Sequence, residues 1–162
     1  MPKVYLMCGR ICSGKSTHAA ALRRQHRAVV LSVDEITLAL FGQDTGDMHD
    51  TYVARAERWL YEKSLEIIES GISVILDWGF WTKRERDAAR AFYAAHGVAY
   101  EFHYIDISPA EWQRRLQKRN RAVLAQETSA YYVDAGLTEK FDALFEVPDR
   151  AEIDVWLEQE KE

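Results

Sequence analysis

Cysteine and proline are scarce in this chain, two and three residues out of 162. The two thiols, Cys8 and Cys12, sit in one short stretch with no further Cys or His beside them. That excludes a disulfide framework and makes a poor zinc site, so both read as small structural side chains. No apolar run approaches the ~18 residues that a membrane span requires. Met1-Pro2-Lys3 leads straight into a strand-like run without a signal-peptide pattern, and the expected compartment is the cytoplasm. Positive charge is also short: 21 Lys and Arg against 26 Asp and Glu leave a net charge of −5. A protein whose main task is gripping long nucleic acid shows a basic face, and the overall balance gives no support for one. His18, His26, His49, His96 and His103 have no metal-ligand spacing, and there is no Gly-x-Ser-x-Gly nucleophile elbow.

What is present is ordinary globular material, 48% hydrophobic and 29% charged, without repeats, low-complexity tracts or linkers. One domain over residues 1–162, with one core, is the expectation. Strand-like runs at 3–8, 28–33, 72–76 and 98–105 alternate with helical stretches at 15–25, 35–41, 51–70, 82–96 and 109–120. Residues 137–145 read as a further helix, 153–157 as a fifth strand, and 122–135 stays open. In the helix at 51–70, Val53, Ala56, Leu60, Ser64, Ile67 and Ile68 fall on one face. Ser108 is a helix cap ahead of Pro109. The alternation, with strands that are apolar throughout, predicts an α/β fold with a parallel sheet and helices on both faces. Ligands of such sheets bind beyond the carboxyl ends of the strands.

The first strand runs into Gly9-Arg-Ile-Cys-Ser-Gly-Lys-Ser-Thr17, which satisfies Gly-x4-Gly-Lys-Ser. Its glycines permit backbone angles other residues resist, so the N–H groups of Gly9, Arg10, Ser13, Gly14, Lys15, Ser16 and Thr17 can turn toward an anion. The helix that follows adds its N-terminal dipole. Lys15 brings positive charge to the β and γ phosphates of ATP, and Ser16 offers a hydroxyl to Mg²⁺.

Three further groups converge on that loop by the sheet rule. Asp34 follows the second strand, where its carboxylate can take a proton from an attacking hydroxyl, cap the helix that starts at Glu35, or do both. Asp77 closes the run Ile-Ser-Val-Ile-Leu-Asp and resembles the acid that holds Mg²⁺ in a Walker B element. Trp78 reads equally as pocket wall or core, whereas Phe80 and Trp81 read as core. Arg114, Arg115, Lys118, Arg119 and Arg121 crowd a helix C-terminus. Cations suit the dipole there, and most of the cluster reads as a solvated face. Arg115 and Arg119, four apart on one helix face, are the two placed to reach phosphates, Arg119 first.

These pieces resemble small P-loop kinases of the adenylate-kinase-like branch. The nearest in pattern are the kinase half of polynucleotide kinase, the zeta toxins, chloramphenicol phosphotransferase and a set of AAA-type predicted kinases. The resemblance rests on residues 9–17, 31–35, 74–81, 114–120 and 144–148. It implies a three-layer P-loop NTPase fold, with five parallel strands in order 2-3-1-4-5 and an arginine-bearing lid at about residues 115–135. By position it implies Lys15 and Ser16 on phosphate and Mg²⁺, Asp34 as general base and Asp77 beside metal and acceptor. It places Arg115 and Arg119 in the lid.

Polynucleotide kinases carry an arginine three residues after the base Asp, to hold the nucleic acid's phosphate. That position is Thr37 here. The reading therefore leans to ATP and Mg²⁺ as cofactors and a small-molecule hydroxyl, an antibiotic or a metabolite, as acceptor. Asp34, Thr37, Asp77 and Trp78 line its site. Two alternatives stay open: a 5′-hydroxyl polynucleotide kinase, and a nucleotide-binding regulatory module without transfer. The sequence says nothing of oligomeric state.

Overall fold

Strand β1 (Val4–Cys8) is central because all five of its side chains can be buried at once. In the computed structural model, which describes residues 1–159, Val4, Leu6 and Cys8 enter one apolar cluster, while Tyr5 and Met7 enter another on the opposite face. Each fully buried branched or aromatic side chain contributes about 1.5–3 kcal/mol. A strand apolar on both sides therefore belongs in the middle of a covered sheet. β3 (Val74–Leu76) is equally buried and pairs with β1 on one side; β4 (Tyr100–Asp106) pairs with it on the other. β2 (Val29–Leu31) and β5 (Val155–Glu158) are the edges. The sheet is parallel throughout, in the order β2-β3-β1-β4-β5 that the sequence resemblance implies.

Among the described residues six α-helices connect and cover it: α1 (Lys15–His26), α2 (Val33–Phe41), α3 (His49–Glu69), α4 (Lys83–Ala95), α5 (Pro109–Leu124) and α6 (Ala135–Leu144). Ala19 and Leu22 of α1 pack on one face of the sheet; Ala89 and Tyr93 of α4 pack on the other. A buried hydrogen bond of 2.8 Å between Ser64 and the Tyr93 hydroxyl ties α3 to α4. The last three residues of the expected domain, 160–162, lie outside the described residues. Among the described residues no helix is long and apolar enough to cross a membrane.

Some boundaries move, and one move matters. The second strand stops at Leu31 rather than Val33, because the Ser32 hydroxyl accepts from Glu35 N–H (3.3 Å) and starts α2 at Val33. Asp34 thus stands in the first turn of α2, and the capping task considered for it belongs to Ser32. Ser108 caps α5 as expected, accepting from Glu111 N–H at 3.3 Å. That helix runs on to Leu124. The open stretch after it turns at Gln126 (φ 57°) and then lies irregular until Asp134 caps α6.

Arg86 carries a role its sequence setting did not announce. It lies in the charged run that opens α4, yet it is 1% exposed. Its guanidinium donates to both Glu152 carboxylate oxygens (3.0 and 3.3 Å) and to the carbonyls of Phe80, Trp81 and Glu146 (3.1, 3.3 and 3.1 Å). Ala89 and Tyr93, three and seven residues on, are buried on the same face. That spacing is the signal which places Arg86 inside. The cation fastens the turn after β3 to the segment before β5, so it sets where residues 77–81 stand beneath the phosphate loop.

Candidate active site

The Gly9–Thr17 loop leaves β1 and enters α1 through backbone angles that select its residues. Gly9 has φ 150°, and a Cβ there would lie 2.9 Å from Ser13 Oγ and 3.0 Å from the Ile105 carbonyl. Gly14 has φ 107° and is the N-cap of α1. Cys12 takes a left-handed φ of 58°, which a non-glycine residue adopts at a strain of about 1–2 kcal/mol. Gly9 N–H donates to the Gly79 carbonyl (3.0 Å), and Trp112 on α5 donates its indole N–H to the Ile11 carbonyl (2.7 Å). The loop is held from both flanks before any ligand arrives.

Lys15 curls under this loop and donates to the carbonyls of Gly9 and Arg10 (3.1 and 2.6 Å). Burial lowers its pKa, and Asp77 is the strongest charge working the other way. Ser16, in the first turn of α1, donates its hydroxyl to Asp77 Oδ2 at 2.8 Å. A hydroxyl and a carboxylate side by side are the hard oxygen donors that Mg²⁺ takes. Among the described residues no group of three or more His, Cys, Asp or Glu could hold a metal. The pair therefore fits an ion that keeps most of its shell in water and phosphate oxygens.

Among the described residues, two of the three buried polar side-chain atoms without a partner lie in or against this loop: Ser13 Oγ and Arg119 Nε. Buried polar atoms are normally satisfied, so these mark where a polar ligand belongs. Arg119 crosses from α5 and donates to Cys12 Sγ (3.2 Å) and to the Tyr131 carbonyl (3.2 Å). Arg115, one turn earlier, donates to the Ser13 carbonyl (3.3 Å), to Glu111 (2.7 Å) and to Gln159 (3.3 Å). Its guanidinium comes to 3.4 Å from where a Gly14 Cβ would be. Hydrogen bonds from Arg114, then Arg115, hold the Glu111 carboxyl down at about 2. Both lid arginines named from the sequence therefore reach the loop itself.

Asp34 faces the same space from α2. Its side chain is exposed, and partial desolvation by the surrounding groups is the main cause that raises its carboxyl above the ordinary value; Arg119, Lys15 and His49 pull it down, and Asp77 adds to the rise. Asp34, Asp77, Lys15 and Arg119 are thus electrostatically one group.

The side chains of the other sequence candidates have different settings. Arg10 points away from the anion-facing side, paired with Asp142, with its guanidinium 4.7 Å from the Phe145 ring and 5.1 Å from the Trp112 ring. Thr17 is exposed on α1. Thr37 is 1% exposed; its hydroxyl approaches the Val33 and Asp34 carbonyls and accepts from Tyr131 at 2.6 Å. Trp78 packs on the core, stacked against Phe80 (5.4 Å) and edge-on to Tyr61 (5.6 Å). Phe80 is core, as expected, and the half-buried Trp81 packs against the same cluster.

A family model described as an AAA domain matches residues 4–148. The chain belongs to that family. No curated protein matches it. Among solved structures, this AAA-domain chain is similar to Mycobacterium tuberculosis APS kinase CysC in complex with AMPPNP and APS. Identity is 21% and TM-score 0.71, over 99% of this chain and 90% of that one. A gluconokinase from Sinorhizobium meliloti 1021 is 15% identical with TM-score 0.65, over 97% and 82%. A chain of the Pnkp1/Rnl/Hen1 RNA repair complex is 22% identical with TM-score 0.70, over 88% of this chain and 43% of that one. The fold is that of P-loop kinases.

Proposed function

We propose that this protein is a kinase that moves the γ-phosphoryl group of ATP to a hydroxyl of a small molecule, an antibiotic or a metabolite. The observation that carries the reading is Asp34. A loop, a lysine and a Ser16–Asp77 pair explain nucleotide binding. A carboxylate beside Lys15 and Arg119, relieved of capping by Ser32, is what transfer to a hydroxyl adds.

In this reading the loop N–H groups and Lys15 hold the phosphates. Arg115 and Arg119 fold over them and neutralise the charge that develops. Mg²⁺, held through Ser16 and Asp77, would supply further charge neutralisation across the phosphates. Asp34 orients the acceptor hydroxyl and takes its proton. Its raised carboxyl pKa suits that task, since a base must be strong enough to accept a proton in transfer. Most of the rate comes from positioning and charge neutralisation, as phosphoryl transfer requires. The cytoplasm is the compartment we propose.

Asp34→Asn tests the base. The expected result is a loss of transfer of about 10²–10⁴-fold with ATP binding within twofold of wild type. Full transfer by that variant on a verified acceptor would remove Asp34 from the mechanism. Likeness to a chain of an RNA repair complex favours one second reading, a nucleic acid 5′-hydroxyl as acceptor. Radiolabelled ATP with a 5′-hydroxyl oligonucleotide separates the two: strong, salt-sensitive labelling would replace the small-molecule reading.

A further inference from the structure

Arg10 is the second residue of the phosphate loop, yet its side chain turns away from the anion-facing side. Three groups hold it there. Asp142 of α6 accepts a hydrogen bond from its guanidinium. The Phe145 ring, where α6 ends, lies 4.7 Å from the guanidinium carbon, and the Trp112 ring of α5 lies 5.1 Å from it. This grip leaves 21% of the Arg10 side chain exposed. A planar guanidinium can lie against two rings and still pair its charge with a carboxylate.

The end of α6 that holds Arg10 is itself fastened to other parts of the chain. Glu146 N–H donates to the Trp81 carbonyl (2.8 Å), and the Glu146 carboxylate accepts from Lys83 N–H (2.9 Å). The buried Arg86 donates to the Glu146 carbonyl (3.1 Å), and the Phe141 ring packs 4.8 Å from that of Trp81. At the other end of the helix, Asn120 of α5 exchanges two hydrogen bonds with Val133 (2.6 and 3.0 Å). None of these bonds passes through Arg10. The arginine is therefore gripped by a helix whose position is set independently.

The main chain of Arg10 is where the loop holds its lysine. The Arg10 carbonyl accepts from Lys15 Nζ at 2.6 Å, the shorter of the lysine's two bonds to the loop, and from Ser13 N–H at 3.2 Å. The next carbonyl, that of Ile11, accepts from the Trp112 indole (2.7 Å). Two successive peptides are thus fixed from outside the loop, one by the indole on its carbonyl and the other through the Arg10 side chain. A peptide unit turns only about the soft dihedrals on its two sides, so a side chain pinned at Cα restrains the carbonyl beside it.

We propose that Arg10 is a positioning residue of the phosphate loop: gripped by Asp142, Phe145 and Trp112, it holds the carbonyl that carries Lys15 and ties the loop's readiness for nucleotide to the seating of α6. The inference rests on the kinase reading in taking a nucleotide as the loop's ligand. Arg10 acts through Lys15 and touches no phosphate. Without the grip, the peptide after Arg10 turns more freely, and an arriving nucleotide must order both it and Lys15. Order that is no longer prepaid appears as weaker binding. The apparent Kd rises by the inverse of the fraction of loops already in order.

The test uses the full chain, with Arg10→Ala, Arg10→Lys and Asp142→Asn beside wild type. Calorimetry with Mg²⁺ and the ATP analogue AMPPNP should show a Kd about tenfold higher in Arg10→Ala and about threefold higher in Asp142→Asn. Arg10→Lys, which keeps the charge but not the flat stacking, should fall between wild type and Arg10→Ala. The double variant Arg10→Ala/Asp142→Asn should stay within about twofold of Arg10→Ala, because both changes cut one link. A merely structural arginine would lower the urea midpoint and leave the Kd of the folded protein within twofold of wild type, and that result overturns the proposal. So do fully additive effects in the double variant. If Arg10→Ala does not fold, Arg10→Lys and Asp142→Asn answer through their smaller increments. If wild type does not bind AMPPNP, the nucleotide reading fails, and acetic anhydride labelling read by mass spectrometry still decides the role of Arg10. Lys15 should acetylate at least about threefold faster in Arg10→Ala, with Lys118, exposed on α5, unchanged. Equal Lys15 labelling in the two proteins overturns the proposal.

Discussion

In the proposed kinase, the phosphate end and the acceptor end of the site are built in different ways. At the phosphate end most groups come from one run, Gly9–Thr17, joined by Asp77 just after the neighbouring strand and by Arg115 and Arg119 from α5. Backbone geometry does most of the positioning, through left-handed turns and the start of α1. At the acceptor end Asp34, His49, Arg119 and Tyr131 come from four segments far apart in the chain. Side chains do the positioning there: the amides of Gln43 and Asn120, one phenol and one guanidinium. A contiguous loop carries its phosphate chemistry as one unit of fixed spacing. An assembled wall can be rebuilt one side chain at a time, which is where a change of acceptor is easiest to make.

The sharpest way to break this contrast is to remove function at the phosphate end without touching the fold. Lys15→Ala should lower ATP turnover by at least about 10³-fold, about 4 kcal/mol of transition-state stabilisation. Its circular dichroism spectrum should match wild type, because among the described residues the lysine's hydrogen bonds go to carbonyls of its own loop. Retained turnover would mean that the loop N–H groups alone carry the phosphates. Arg86→Ala should do the reverse. Glu152 and three carbonyls lose their buried partner, at a cost of about 3–5 kcal/mol in urea unfolding. A loss below about 1 kcal/mol would show that the 77–81 turn does not depend on this cation.

The same contrast explains what the sequence could and could not disclose. Gly9, Gly14, Lys15 and Ser16 are legible because their chemistry demands fixed spacing, Asp77 because a strand end places it, and Asp34 because the helix that carries it starts shortly after a strand. The five-strand order followed from resemblance, and the alternation of apolar runs agreed with it. Tyr131 was invisible: it occupies no regular element, and the amides of Gln43 and Asn120 that bond to its chain neighbours lie 88 and 11 residues away in sequence. Thr37 was read as a departure from a phosphate-holding arginine. It is instead covered by Tyr131, a fact that only tertiary packing supplies. Arg86 was hidden by its neighbours, since a charged helix run looks solvated until Ala89 and Tyr93 show which face is inside.

A pH experiment sharpens the phosphate side further. His18, on the helix that follows the loop, and His103 of β4 share a hydrogen bond of 2.8 Å. Burial is the main cause that lowers both pKa values from 6.5; for His18 the neighbouring His103 adds to the drop, while Glu101 beside His103 opposes it. The folded protein thus holds protons at these rings more weakly than the unfolded chain does. Their contribution to stability is complete above 6.5 and drains away as pH falls below it. Urea unfolding at pH 7.5 and pH 5.5 should show a loss in wild type that is smaller than that of Arg86→Ala. His103→Gln, which keeps a polar side chain there but removes one of the two titrating rings, should shrink the difference and leave only the share of His18. An equal loss in the variant would assign the acid sensitivity to other groups.

The acceptor end should answer in smaller steps, because it rests on several modest contacts. Asn120→Ala removes both bonds to Val133 and should cost about 1–2 kcal/mol at about 1 kcal/mol each. Gln126 is the smallest test. It turns the chain from α5 into the irregular run before α6 at φ 57°, on the surface. Gln126→Gly relieves about 1–2 kcal/mol of left-handed strain, and the freer unfolded chain takes back about 0.5–1 kcal/mol of it. The expected net is a gain of about 0.5 kcal/mol in urea unfolding, because glycine accepts the same backbone angles. Gln126→Val, branched at Cβ, should lose stability at the same position. If glycine destabilised instead, the turn would be held by its side chain rather than by its backbone. The acceptor end would then depend on side chains even at its hinge, and its difference from the phosphate loop would be complete.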